Sequence, residues 1–307
     1  MILSVSRRTD VPAYYTEWFL NRLKEGYALV RSPASPRQVS RISLSPDVVD
    51  GIVFWTKDPR PLAPHLDRLR DYPYYFQFTL TPYGQDIEPG LPDKEIYLLP
   101  AFRALAEKLG PHRVIWRYDP VFFTSYWTPE RHLEAFSAWA ALLRGCTRQV
   151  VISFLDFYPG VAAKLQPLGL YPADAALQKR FAAATAAIAW ENGLQLTACA
   201  EETLAACGIP AAACVDRRLL EQLCGYPLKL DKDKGQRPAC GCAQSVDIGA
   251  YGTCRCGCLY CYAGGAKTRA PAMGDNASPL LCGTLGPYDK VTERKAASSK
   301  QRQLQFY

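Results

Sequence analysis

Six short apolar runs rich in β-branched and aromatic residues, at 2–6, 52–55, 74–80, 113–118, 150–155 and 194–198, alternate with amphipathic stretches over the first 220 residues. Each run is the length of a buried strand, and a strand–helix alternation repeated this often predicts parallel strands joined by right-handed crossovers. Thr128-Pro129 offers a capping hydroxyl and a proline at the first helical position. Leu133, Phe136, Ala140 and Leu143 then recur on one helical face; Leu177, Phe181, Ala184 and Ile188 do the same, with Gly193 to end that helix. The expected fold is α/β: a full or partial (β/α) barrel of parallel strands with a C-terminal cysteine-rich, metal-binding segment. An open doubly wound sheet is the alternative. Residues 227–239 are charged and aperiodic and read as a linker. They divide a barrel-like domain, 1–226, from a linker and cluster-binding segment, 227–307, packed on it.

Every run leads into a polar or aromatic cluster: Ser6-Arg7-Arg8-Thr9-Asp10, Thr56-Lys57-Asp58, Thr79 to Tyr83, Arg117-Tyr118-Asp119, Asp156-Phe157-Tyr158 and Cys199-Ala200-Glu201. In parallel α/β folds the C-terminal strand ends share one face, where ligands bind. A polar bowl is therefore expected there, with its strand-end residues mostly facing solvent. Some of these residues also suit turns, and Asp-Pro at 58–59 and 119–120 is a common turn pair.

No phosphate-binding glycine loop, dinucleotide fingerprint or nucleophile elbow is present, and three histidines are too few to suggest a serine-hydrolase triad. The N-terminus lacks an apolar run of signal-peptide length, and no window reaches the roughly 18 apolar residues of a membrane span, so the expected location is the cytoplasm, with no membrane partner. Of the net charge of +7, +5 falls in residues 221–307, with 12 Lys/Arg against 7 Asp/Glu. So small an excess reads as a solvated surface.

Twelve cysteines are many for a reducing compartment and point to metal or redox chemistry. Cys146 is the only one before Cys199, and most crowd between Cys224 and Cys282, far from His65, His112 and His132. Any metal there is held mainly by sulfur. Cys254-x3-Cys258-x2-Cys261 brings three thiolates onto one tight loop, enough for three irons of a cubane and leaving the fourth iron open. Zinc also suits such spacings and would staple a loop-rich tail. Cys199, Cys214, Cys240 and Cys242 are candidates for a second cluster or a zinc site if the fold assembles them. Cys146, Cys207, Cys224 and Cys282 read as core or surface residues.

The motif Cys254-x3-Cys258-x2-Cys261, with Tyr260 before its last cysteine, resembles the signature of the radical S-adenosylmethionine (radical SAM) enzymes, and GCLYCYA (257–263) resembles the spore photoproduct lyase branch. The resemblance implies a 4Fe-4S cluster on Cys254, Cys258 and Cys261 whose open iron chelates S-adenosyl-L-methionine, with Tyr260 beside the adenine. Reductive cleavage would give a 5′-deoxyadenosyl radical that abstracts hydrogen from substrate, with a reductant such as flavodoxin or ferredoxin as partner. Over nearly the whole chain, SRRTD (6–10), FWTKDP (54–59), FQFTLTPY (76–83), WRYDP (116–120), SFLDFY (153–158) and DIGAYGTC (247–254) resemble a bacterial family of unknown function with a C-terminal radical-SAM-like cysteine cluster.

Within that reading Arg7, Arg8, Lys57 and Arg117 suit an anionic substrate, with Asp119 among the catalytic candidates. Asp10, Asp119, Asp156 and Glu201 suit the ribose and amino groups of the cofactor. The sequence departs from the radical SAM pattern in two ways: the cysteine loop follows six strand candidates instead of the first, and no Gly-Gly-Glu segment is present. Cys256, where the similar family is expected to have His, adds a further candidate ligand. A strand at 246–249 in the first strand's place would make the barrel a circular permutation. The substrate class is open between a small molecule and a nucleic acid undergoing repair or modification. A third reading is a zinc-stabilised binding protein whose Tyr251, Tyr260, Tyr262, Phe306 and Tyr307 stack on single-stranded nucleic acid.

Overall fold

The computed structural model describes residues 1–264 and 275–301. The strands are β1 (Ile2–Val5), β2 (Tyr27–Arg31), β3 (Gln38–Ser43), β4 (Gly51–Thr56), β5 (Tyr74–Thr79), β6 (Val114–Val121), β7 (Gln149–Phe154), β8 (Gln195–Ala198), β9 (Val246–Asp247) and β10 (Lys290–Glu293). The helices are α1 (Val11–Tyr14), α2 (Thr16–Glu25), α3 (Leu99–Leu109), α4 (Pro129–Leu142), α5 (Pro159–Leu165), α6 (Ala175–Glu191), α7 (Glu202–Ala205) and α8 (Arg217–Cys224).

All six expected strands form, and with β9 they make one parallel sheet of order β8-β7-β6-β5-β4-β1-β9. From β1 to β8 each new strand of this sheet is added on the same side. Over that span the winding is therefore single, as in a barrel, while β9 joins on the opposite side of β1. A closed barrel is not formed: among the described residues β8 and β9 are both edge strands of the sheet. The segment expected at 246–249 is a two-residue strand parallel to β1, with Leu3 opposite Val246 and Ser4 opposite Asp247. It stands spatially before the first strand although it comes last in this sheet's sequence.

Side chains alternate across the sheet, and the two faces meet different partners. Ile52, Phe54, Phe76, Trp116, Val150 and Ile152 join a core completed by Phe19 of α2, Phe102 of α3, Phe136 of α4 and Phe181 of α6. Trp116 stacks on Phe136 with ring centroids 4.9 Å apart. Val53, Tyr75, Ile115 and Val151 point the other way, onto Ala212, Val215, Leu220, Leu228 and four cysteines, 199, 214, 240 and 242. One face thus carries helices, while irregular chain and α8 cover the other. Leu228, inside the expected linker, is part of that second core.

Thr128 caps α4 as its sequence implies, accepting a hydrogen bond from the Arg131 N–H, and Gly193 turns the chain after α6 with φ 71°. Asp119-Pro120 is not a turn. It lies inside β6, where the register with β7 shifts between Tyr118 and Val121, the kind of irregularity in which a strand tolerates proline. The small sheet β10-β3-β2 was not expected. The apolar run Tyr27–Val30 marks β2 in retrospect, but β3 has only Val39 and Ile42 among polar residues and all four residues of β10 are exposed. No helix among the described residues is long and apolar enough to cross a membrane.

Candidate functional site

The strand ends do converge. A cavity of about 310 Å³ is lined by residues following β1, β4, β7 and β9 and by the ends of β5 and β6, among them Arg7, Arg8, Asp10, Lys57, Arg117, Asp119, Asp156 and Tyr260. Both cysteine groups line the same cavity, one with Cys254, Cys258 and Cys261, the other with Cys199, Cys214, Cys240 and Cys242. Phe306 and Tyr307, invoked for base stacking, lie outside the described residues. Tyr251 is instead packed under the Arg8 guanidinium, 5.3 Å from the ring centroid.

Several of the expected ligand-facing residues are buried and already engaged. Asp10 caps α1 by accepting from the Ala13 N–H at 3.1 Å, and ties β4 through the Thr56 hydroxyl and the Lys57 N–H, both at 2.7 Å. Burial, then the nearby Cys254, raises its carboxyl to about 7 despite these donors. Glu201 does not line the cavity. It accepts from the Ser153 hydroxyl at 3.1 Å and the Phe154 N–H at 2.8 Å, holding the end of β7. Asp156 is exposed and pairs with Arg237 at 2.8 Å. Arg117, expected to face solvent, is only 5% exposed. Its side chain lies under the Cys214 loop and against Trp55, which remove it from water.

The cysteine loop is held from three directions. Asp247, at the end of β9, accepts from the hydroxyls of Ser4 (3.0 Å) and Ser6 (2.6 Å) and the N–H groups of Arg7 (2.8 Å) and Gly249 (2.9 Å). Tyr15 of α2's N-terminal boundary donates to the Thr253 carbonyl at 2.6 Å. The segment after β5 supplies the third hold: Gly90 N–H donates to the Cys256 carbonyl and Ile87 accepts from the Leu259 N–H, each at 2.9 Å.

Glu88, in that same segment, was invisible to sequence reasoning. It is fully buried and accepts from Lys57 Nζ at 2.7 Å, from the Thr81 hydroxyl and from Lys94 and the Tyr260 hydroxyl; Lys57 Nζ also donates to Tyr260 at 2.7 Å. Burial would raise the Glu88 carboxyl, but Lys57 and Lys94 together bring it down to about 2. Burial would equally lower the Lys57 ammonium, yet Glu88 and then Cys258 push it up. The lysine is therefore a fixed positive charge beside the cysteine loop. Its neighbour Lys94 is pushed the other way by burial and by Lys57, because two ammoniums share one carboxylate.

The adjacent Cys256 thiol lowers Cys254 to about 6 and lowers Cys258, while its own ionisation is pushed up. Burial pushes Cys261 up. At the second group, Cys214 and Cys199 sulfurs are 3.7 Å apart, Arg117 Nη1 donates to Cys214 Sγ at 2.6 Å, and the Val215 N–H donates to Cys242 Sγ at 3.4 Å. Arg7 and Arg117 both stack over Trp55, at 5.0 and 5.2 Å. Among the described residues no three His, Cys, Asp or Glu side chains already surround one point as a closed metal site. The donor chemistry of Cys254, Cys258 and Cys261 nonetheless fits a thiolate-bound cluster. All three line the cavity, two have lowered thiol ionisation, and a fixed ammonium stands beside them to offset negative charge.

Fold and site together define an α/β protein with a parallel sheet, singly wound from β1 to β8, and a cysteine-lined cavity at its C-terminal strand ends. The chain belongs to the family described as a domain of unknown function, DUF1848, which matches residues 2–263. That span takes in every strand of the large sheet and the whole cysteine loop. No curated protein and no solved structure matches the chain.

Proposed function

We propose that this protein is a radical SAM enzyme. Cys254, Cys258 and Cys261 would hold a 4Fe-4S cluster, and the cavity would bind S-adenosyl-L-methionine and an anionic small substrate. The carrying observation is the place of β9. It lies parallel beside β1, so the loop with Cys254-x3-Cys258-x2-Cys261 leaves the C-terminal end of the strand that is spatially first in a sheet otherwise singly wound from β1 to β8. The late position of the motif in the chain, which set it apart from the radical SAM pattern, is thereby accounted for as a permutation of connectivity.

When bound and reduced, the cluster and S-adenosyl-L-methionine supply a 5′-deoxyadenosyl radical. The chain's own residues bind and orient. Lys57, held by Glu88, keeps a positive charge and the Tyr260 hydroxyl beside the loop. Arg8, which lines the same space, presents its guanidinium for a substrate carboxylate or phosphate, while Arg7 and Arg117 stack on Trp55 and Arg117 is hydrogen-bonded to Cys214. Asp10 and Glu201 are taken up by internal hydrogen bonds, and Asp119 and Asp156, which line the cavity paired with Arg117 and Arg237, are the carboxylates left for ribose and amino contacts.

The test is anaerobic reconstitution with iron and sulfide, followed by dithionite, S-adenosyl-L-methionine and mass detection of 5′-deoxyadenosine. Wild type is expected to form it, and the Cys254→Ala/Cys258→Ala/Cys261→Ala variant to form none. A wild-type protein that takes up iron and sulfide yet yields no 5′-deoxyadenosine overturns the reading.

A further inference from the structure

The four cysteines on the other wall arrive from separate places: Cys199 from the end of β8, Cys214 from the loop before α8, and Cys240 and Cys242 from the loop before β9. All four are buried and all four line the cavity. Buried thiols often serve merely as small apolar side chains. Two observations go against that here.

The first is proximity. The Cys214 sulfur lies 3.7 Å from that of Cys199, and the N–H of Val215, the residue after Cys214, donates to Cys242 Sγ at 3.4 Å. The four thiols, from three loops, thus belong to one buried cluster and line the same cavity. With metal–sulfur bonds of about 2.3 Å, two thiolates on one tetrahedral ion stand about 3.8 Å apart, close to the separation of Cys199 and Cys214.

The second is charge. Arg117 is buried and donates to Cys214 Sγ, and Arg7 lies near Cys214 and Cys242. Their carboxylate partners are Asp119 for Arg117 and, at 3.6 Å, Asp233 for Arg7, and the Arg7 Nη2 atom is buried without a hydrogen-bond partner. A guanidinium N–H aimed at sulfur is better matched by a thiolate than by a neutral thiol. Four thiolates around a divalent ion, or around a 4Fe-4S core of charge +2, leave a net charge of about −2, and Arg7 and Arg117, each also paired with a carboxylate, are the cations beside it.

We propose that Cys199, Cys214, Cys240 and Cys242 form a second, thiolate-bound metal centre across the cavity from the Cys254 loop, with Arg7 and Arg117 as the cations beside it. Either a single zinc ion or an iron–sulfur cluster has the required chemistry. The thiols close on the metal by side-chain rotation, since all four residues already face the same space. This centre does not depend on the radical SAM reading.

The experiment uses full-length protein purified anaerobically, its Cys254→Ala/Cys258→Ala/Cys261→Ala variant and a Cys240→Ser/Cys242→Ser variant. Metal and sulfide analysis of the triple variant should find about one zinc, or about four iron with sulfide and visible absorption, per chain; these two arms identify the centre. The double variant should lose that amount and keep the rest. Native wild type treated with iodoacetamide should leave Cys240 and Cys242 unlabelled until a chelator or acid displaces the metal, as read by peptide mass spectrometry. This readout needs no variant to fold. Metal-free triple variant, together with equal labelling of Cys240 and Cys242 before and after metal displacement, overturns the proposal. Failure of the Cys254 loop to bind iron would instead leave wild type and triple variant with equal metal.

Discussion

Lys57 Nζ lies 2.7 Å from Glu88 Oε1, an ion pair that joins the end of β4 to the segment beneath the cysteine loop. Through the Tyr260 hydroxyl, which both residues hold, the pair reaches the residue before Cys261. It is at once a structural bracket and the source of the fixed charge beside the loop.

Glu88→Gln should therefore be strongly destabilising. Two buried ammoniums would share a neutral amide, and breaking a buried pair costs about 3–5 kcal/mol. Thermal or urea unfolding of the apo-protein checks this. A variant that melts within about a degree of wild type would mean that the lysines find other partners.

Gly90 has nothing to do with backbone freedom; it is there because of a close approach. A Cβ at this position would stand 2.2 Å from the Arg255 carbonyl oxygen and 2.8 Å from that of Cys256. Neither is a flexible side-chain tip, so Gly90→Ala should push the cysteine loop off its seat. The expected result is a several-fold fall in iron uptake with the circular dichroism of the sheet unchanged. Full iron uptake by the variant would show that the loop binds metal without this contact.

His132 carries a pH dependence separate from the cysteines. Its Nδ1 meets the Tyr118 hydroxyl at 2.8 Å and its Nε2 the Phe122 carbonyl at 3.0 Å, a pattern that suits the neutral ring. Burial lowers it to about 4. The unfolded chain, with a histidine near 6.5, binds the proton first, so this contribution is complete above about pH 6.5 and is lost as pH falls toward 4. Between pH 7 and 5 the loss should be about 2 kcal/mol. Urea titrations at the two pH values, compared with His132→Gln, measure it. An unchanged pH slope in the variant would assign the acid sensitivity to other groups.

Strand identity was legible in the sequence because burial imposes short, continuous apolar runs, and six of the seven strands of the large sheet followed from them. The spacing of Cys254, Cys258 and Cys261 was likewise local information, as was the capping of α4 by Thr128. What covers each face, and which strand lies beside which, depended on segments far apart in the chain. β9 has only two residues, too short for any periodicity, and it is defined by Asp247 receiving donors from Ser4, Ser6 and Arg7, some 240 residues away. β10 exists only as the partner of β3. Glu88 carries no local sign of its role, because a carboxylate in a loop looks the same whether solvated or clasped between two lysines. The grouping of Cys199 and Cys214 with Cys240 and Cys242 was a conjecture from composition until the chain folded irregular segments over the inner face of the sheet. Local pattern reports whether a residue is buried; only tertiary packing decides against what.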